Sequence, residues 1–130
     1  MTKLTIAKLL FLLFAFPCFK LNADSLSSLI EKDSTINISQ FGTDDAPSSD
    51  LCHNFILSVT AIKEVFSVSK ILSMKDIHDK YELLPCWIRG TIESRQGQYK
   101  WEIRAGGTGE LTLPNGEVVL FGCKECIDGC

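Results

Sequence analysis

Residues 86–121 read CWIRGTIESRQGQYKWEIRAGGTGELTLPNGEVVLF, and this stretch decides the fold that the sequence predicts. Apolar and polar residues alternate over 87–93 and again over 99–104, as they do in strands with one buried face. Gln96-Gly97 and Asn115-Gly116 are typical of two-residue hairpin turns. The pattern therefore predicts a four-stranded antiparallel meander over about 86–121.

The first turn fixes a register in which Arg89 lies opposite Arg104 on the polar side of the sheet. Like charges that face each other destabilise a sheet unless something negative lies between them. Glu102 or Glu110 is the structural candidate for that role. A bound carboxylate, a phosphate or an acidic loop of a partner is the functional candidate.

The second turn places Leu111 opposite Leu120. Val119 and Phe121 then fall on the side where polar residues are expected, so the last strand is apolar on both faces. We expect either that the N-terminal segment covers this second face or that the second face binds a partner. Of the two, we favour coverage by the N-terminal segment.

A long helix is predicted over about 51–66, because apolar residues recur there every three or four positions after a good N-cap, Asp50. β-Branched residues weaken this prediction, and a strand near 65–69 is the alternative.

A shorter helix is predicted over about 74–84. Ser73 and Asp76 have the spacing of a capping box, and Pro85 ends the helical pattern. With both helices packed on the meander, residues 50–130 form a single disulfide-stabilised α+β domain with a cysteine-rich C-terminal tail.

Residues 1–23 have the layout of a signal peptide: Lys3 and Lys8 precede an apolar stretch, and Ala23 offers a cleavage point. The stretch is too short for a permanent membrane anchor. The following polar segment, residues 24–49, contains a short alternating pattern at Ile36 and Ile38 that is consistent with a strand. We therefore expect an exported protein, periplasmic or secreted.

Cleavage after residue 23 removes three lysines and no acid, which changes the net charge from −3 to −6. An acidic surface repels phosphate backbones, so nucleic acid is not an expected partner. Another protein is the expected partner.

Five cysteines remain after cleavage, and an oxidising compartment favours disulfides between them: Cys52, Cys86, Cys123, Cys126 and Cys130. The first and fourth strands of a meander end on the same side, so Cys86 with Cys123 is the first choice. Cys52 then pairs with Cys126 or Cys130, and Cys52 with Cys86 is the alternative.

The tail cysteines also allow two other chemistries. Cys123 and Cys126 have the spacing of thiol oxidoreductases, but no helix can follow them to stabilise a thiolate. Three tail thiolates with His53 or His78 would make a zinc site, although disulfide formation competes with it. Structural bridging is favoured over both, and no metal or cofactor is expected.

The run from Arg104 to Gly109 is rich in glycine. Gly106 and Gly107 expose backbone N–H groups, which suits an anion cradle, but a bend between two hairpins is the favoured interpretation.

No residue set predicts catalysis, so the sequence favours a small non-catalytic binding protein, such as an inhibitor or immunity-type protein. A thiol-redox or zinc protein is the alternative. The predicted binding surface consists of Trp87, Arg89, Arg104, Gly106, Gly107, Val119 and Phe121, since Trp and Arg are frequent interface anchors.

Overall fold

The computed structural model describes residues 25–44 and 52–126, and they form an α+β fold. The predicted signal peptide and Cys130 lie outside these residues. The strands are β1 Thr35–Thr43, β2 Lys70–Leu72, β3 Cys86–Ser94, β4 Gly97–Arg104, β5 Thr108–Thr112 and β6 Val118–Gly122, and the helices are α1 Val59–Val68 and α2 Met74–Lys80. The six strands form one antiparallel sheet with the order β1-β3-β4-β5-β6-β2.

The predicted meander corresponds to β3–β6, but it forms only the centre of the sheet. The alternating pattern at Ile36 and Ile38 belongs to β1, which pairs with β3 along nearly its whole length. The short strand β2 closes the opposite edge by pairing with β6. The general α+β class is thus confirmed, and the strand count is larger than predicted.

The first hairpin is shifted by two residues from the predicted register. Arg95 and Gln96 form the turn, and Ser94 pairs with Gly97. The Ser94 hydroxyl stabilises this turn, because it donates to the carbonyl of Gly97 at 3.0 Å and accepts from the N–H of Gln96 at 3.1 Å. A shift by two residues leaves every side chain on its predicted face.

This shift removes the predicted repulsion between two arginines. Arg89 lies opposite Glu102 instead of Arg104, and Arg104 lies opposite Trp87. Opposite charges on facing positions stabilise an antiparallel pair, whereas like charges destabilise it.

The second hairpin differs from the prediction by one residue, and Pro114 explains why. A two-residue turn at Asn115-Gly116 would require the residue at 114 to donate a backbone hydrogen bond, and proline has no N–H. Instead Leu113 donates to the carbonyl of Glu117 at 2.8 Å, and Gly116 adopts a φ of 91° at the end of a longer loop.

A shift by one residue exchanges the two faces of a strand. Leu111 therefore pairs with Val119, and Phe121 pairs with Gly109 on the helix side of the sheet. Phe121 is fully buried and Val119 packs against the core. The expectation that these two side chains lie on the polar face was wrong.

Helix α1 starts later than predicted. The hydroxyl of Ser58 caps it by accepting from the N–H of Ala61 at 3.1 Å, and residues 52–57 before the cap are not α-helical. The predicted cap Asp50 lies outside the described residues. Ile62, Val65 and Phe66 form the buried face of α1.

Helix α2 has the predicted capping box between Ser73 and Asp76, but it ends at Lys80. None of its residues is buried, so it does not pack on the core as predicted. The residues that follow α2 do reach the fold: the ring of Tyr81 lies against Gly122, and Leu84 packs against the core.

The core lies between α1, the sheet and the N-terminal segment. Phe66 makes edge-on contacts with Trp101 and Phe121, each with ring centroids 5.7 Å apart. Such aromatic pairs contribute about 0.5–1.5 kcal/mol beyond the burial of their area. Leu26 from a short 3-10 helix is fully buried beside them, so residues 25–44 belong to the same folded unit.

Two disulfides lie in the described residues, Cys52–Cys86 and Cys123–Cys126. The first is the alternative pairing from the sequence, and the preferred Cys86–Cys123 bridge was wrong. Strands β3 and β6 are three positions apart in the sheet, or roughly 14 Å. A disulfide joins residues whose Cα atoms are at most about 7 Å apart. Two strands that end on the same side of the sheet are therefore not close enough for a bridge unless they are also neighbours.

The two disulfides should stabilise the protein by different amounts. They close loops with sequence separations of 34 and 3 residues. Loop entropy predicts a loss of about 4 kcal/mol when Cys52 and Cys86 are both changed to alanine, and about 2 kcal/mol for the Cys123 and Cys126 pair. Urea unfolding of both double variants checks this, and equal losses would contradict it.

Candidate functional site

Three residues of the predicted binding surface come together on the side of the sheet opposite α1, which we call the outer face. Trp87 and Arg89 lie on β3, and Arg104 lies at the end of β4. Glu102 and Asp44 join them through ion pairs. Further outer-face side chains on the central strands include Thr91, Lys100, Glu110 and Thr112.

Arg89 is fixed from two directions. Its guanidinium carbon lies 3.7 Å from the ring centroid of Trp87, and its Nε donates to Glu102 Oε1 at 2.8 Å. Among the described residues, its two terminal nitrogens have no hydrogen-bond partner. The Arg89 side chain is 46% exposed.

Glu102 links the two arginines. Its second carboxylate oxygen accepts from Arg104 Nε at 3.1 Å, so each oxygen holds one guanidinium. Only 15% of the Glu102 side chain is exposed, which limits the screening of both ion pairs by water. The three side chains therefore form an ordered row across β3 and β4.

Arg104 extends this row to the end of β1. Its Nη1 donates to the carboxylate of Asp44 and, at 3.4 Å, to the carbonyl of Leu84. Hydrogen bonding from Arg104 is the main cause that lowers the pKa of Asp44, and Trp87 and Arg89 add to it. Asp44 is thus held in its charged form.

Trp87 is the platform under Arg89, and it is buried although it faces outward. The backbone of Gly42 makes room for its ring, because a Cβ at that position would overlap it. Trp87 therefore presents the face of its ring to Arg89 and packs against β1.

Gly106 and Gly107 form a turn between β4 and β5. Gly107 donates its N–H to the carbonyl of Arg104 at 3.2 Å, and both glycines have positive φ. A Cβ at Gly106 would overlap the carbonyl of Glu82, and one at Gly107 would overlap that of Cys123. These contacts are those of a bend that lets neighbouring chain segments approach closely.

The Cys123–Cys126 disulfide lies in the wall of a groove of about 780 Å³ between α1 and the end of α2. Both cysteines are partly exposed. Because these two sulfurs are bonded to each other, they are not available as thiolate ligands for zinc. Within residues 25–44 and 52–126, no group of three His, Cys, Asp or Glu side chains is close enough to hold a metal ion.

The sequence predicted the two arginines and Trp87 and offered Glu102 as a candidate acid between the arginines, which is where its two ion pairs place it. The predicted pairing of Arg89 with Arg104 was wrong. The alternation of Arg89, Glu102 and Arg104 on facing strands was a sufficient signal for this row, once the like-charge pairing is rejected. Asp44 carried no such signal, since its position depends on the length and bulge of β1.

The chain matches no protein-family model, and comparisons with curated proteins and with solved structures find no match. Of the described helices, none is long and apolar enough to cross a membrane. Because a fold does not define a function, the function has to be argued from the site itself.

The Asp44–Arg104 ion pair should make the stability of the fold depend on pH in the acidic range. Since the folded state lowers the pKa of Asp44, its contribution is present above the unfolded value of about 3.8 and is lost as the pH falls through the folded value. Asp44→Asn should lower the melting temperature at pH 7, and its difference from wild type should shrink as the pH falls below 3.8 and through the lowered folded-state value.

Arg104→Ala provides the control background for this measurement. Without Arg104, the pH-dependent effect of the Asp44→Asn substitution should be much smaller in thermal melts from pH 7 to pH 2, with only the contributions of Trp87 and Arg89 remaining. An undiminished effect in this background would show that Arg104 is not the main cause of the lowered pKa of Asp44.

Gly107→Ala should destabilise the protein more than Gly116→Ala. Both glycines have a φ of 91°, so both substitutions carry the same backbone strain. Only Gly107 has a close neighbour, whereas nothing lies within 4 Å of a Cβ at Gly116. We expect an additional loss of about 1–3 kcal/mol at Gly107 in urea unfolding, and equal losses would contradict the close approach.

Proposed function

We propose that this protein is a small non-catalytic binding module that recognises a carboxylate on another protein through its outer face. The observation that carries the proposal is the arrangement of Arg89: its guanidinium stacks on the ring of Trp87, its Nε donates to Glu102, and its terminal nitrogens have no partner among the described residues. A planar guanidinium held in this way is prepared for bidentate binding of a carboxylate.

Lys100 supports a negatively charged ligand. It is exposed on β4, two residues before Glu102, and no described residue forms an ion pair with it. It lies diagonally across the sheet from Arg89, because it pairs with Thr91. A carboxylate placed between Arg89 and Lys100 would therefore contact two cations, whereas Glu102 is already shared by two arginines.

The preorganisation of Arg89 favours affinity. Ordering a free arginine side chain at an interface costs about 0.5–1.5 kcal/mol, and the stack on Trp87 removes part of that cost before the partner arrives. Arg and Trp are also among the residues that most often dominate binding energy.

We further propose that the module acts after export, in the periplasm or outside the cell, as an inhibitor or immunity-type protein that covers its partner. The two disulfides support this location, since disulfides persist mainly in oxidising compartments. The arrangement of charges and apolar residues in segment 1–23 supports it as well.

Arg89→Ala should weaken partner binding by about 30-fold, the size of a hot-spot effect of about 2 kcal/mol. Arg89→Lys should be intermediate, because it keeps the charge and loses the planar fork. The matched control is Arg95→Ala, since the Arg95 side chain is 85% exposed on the first hairpin turn and should not affect binding.

The measurement has two stages. Proteins retained from an envelope extract by the wild-type protein are identified, and their affinity for each variant is measured by titration calorimetry. Amidation of the partner's carboxyl groups should abolish binding. Equal affinity of Arg89→Ala and Arg95→Ala, or unchanged binding after amidation, would overturn the proposal.

A further inference from the structure

The Cys123–Cys126 disulfide has a weaker structural role than Cys52–Cys86. Its sequence separation is 3 residues against 34. A disulfide stabilises a protein mainly by restricting the unfolded chain, and this effect grows with loop length. The short ring at the end of β6 therefore contributes less to stability, although it occupies a prominent position in the groove wall.

The groove next to this disulfide has an apolar side. Leu57, Ala61, Val65 and Val68 line it from α1 and the residues before it, and Val68 is 50% exposed. Because both cysteines line the same groove, an apolar segment lying along α1 would be placed beside the two sulfurs. The groove thus places apolar side chains and a partly exposed disulfide along the same wall.

Lysines line the groove near the cysteines. Lys70, Lys80 and Lys124 line the groove together with Glu64 and Glu125, and Lys80 is ion-paired with Asp76 at 3.2 Å. Lys124 lies between the two cysteines in the sequence. Neighbouring cations favour the thiolate form of a cysteine, and the thiolate is the species that forms and leaves in disulfide exchange.

Cys123 is held in place independently of its disulfide. Its N–H donates to the carbonyl of Gly107 at 2.8 Å, and its own carbonyl packs against the backbone of Gly107. Cys126 lies three residues further on, after a turn. Opening of the disulfide would therefore leave the Cys123 thiol at the same place in the groove.

We propose that Cys123–Cys126 is a thiol–disulfide exchange site that oxidises a dithiol carried on an apolar segment of another protein. A thiolate of that segment attacks one sulfur, which breaks the Cys123–Cys126 bond and forms a mixed disulfide. The second thiolate of the segment then attacks the mixed disulfide. The segment leaves oxidised by two electrons, and the two cysteines take up the two protons that it released.

This site lies apart from the outer-face arginines, so it does not depend on the proposed carboxylate recognition. The two can fail separately, because Arg89→Ala leaves the groove intact and a change at Val68 leaves Arg89 in place.

The test uses two synthetic peptides with the same cysteine spacing, one flanked by Leu, Val and Phe and the other by Ser, Asn and Gln. Each is incubated with the oxidised protein, and opening of each disulfide is followed by alkylation and mass spectrometry. We expect the apolar peptide to open Cys123–Cys126 at least tenfold faster than the polar peptide and to be released as its disulfide. Cys52–Cys86 should stay closed.

Val68→Gln should reduce the rate with the apolar peptide to that of the polar peptide, because it removes apolar surface from the groove without adding a charge. Val118→Gln is the matched control, because Val118 is 55% exposed on the outer face and should leave the rate unchanged. Circular dichroism verifies that both variants fold. Equal rates for the two peptides on the wild-type protein, or equal effects of the two glutamine substitutions, would overturn the proposal.

Discussion

Pro114 cannot donate a backbone hydrogen bond, and the register of β6 and the packing of the core against it depend on this. A two-residue turn at Asn115-Gly116 would need that donor, so the loop lengthens and β6 shifts by one residue. Because side chains alternate along a strand, this shift turns Phe121 toward α1, where it packs on Phe66. The same shift keeps the largest apolar side chain of β6 off the outer face.

The strong local patterns were sufficient for the α+β class, the four central strands and the capping box at Ser73. They indicated a strand at Ile36 and Ile38, which belongs to the edge strand β1, but not its place in the sheet. They were not sufficient for the other edge strand, since the short β2 carries little periodicity of its own. The long helix was predicted too early because the apolar spacing continues through Phe55 into segment 52–57, which one bridge ties to Cys86. Apolar periodicity indicates which residues are buried. It does not distinguish a helix from a loop that a disulfide holds against the core.

The sequence predicted which residues belong to the candidate site, but not which of them contact each other. Trp87, Arg89 and Arg104 were selected as residue types, and all three lie on the outer face. Their partners depend on register, and a shift of two residues exchanges a repulsive pair for an attractive one without moving any side chain to the other face. Two registers that differ by two residues bury the same apolar side chains. The charges that lie opposite each other on neighbouring strands can therefore be used to choose between them.

The two proposed sites use different chemistry because the sheet separates them. On the outer face, Arg89 donates from Nε to Glu102, and its terminal nitrogens have no partner within the described part of the chain, so the proposed affinity for a carboxylate would come from an incomplete but rigid set of hydrogen bonds. In the groove, the reactive element is a covalent bond that closes only a short ring and lies beside apolar side chains. The first site requires a rigid scaffold, which the central strands provide. The second requires a bond that can open without unfolding the protein. The Cys123–Cys126 disulfide meets that requirement better than a bridge at the buried Cys86, because the backbone of Cys123 is also held by a hydrogen bond to Gly107.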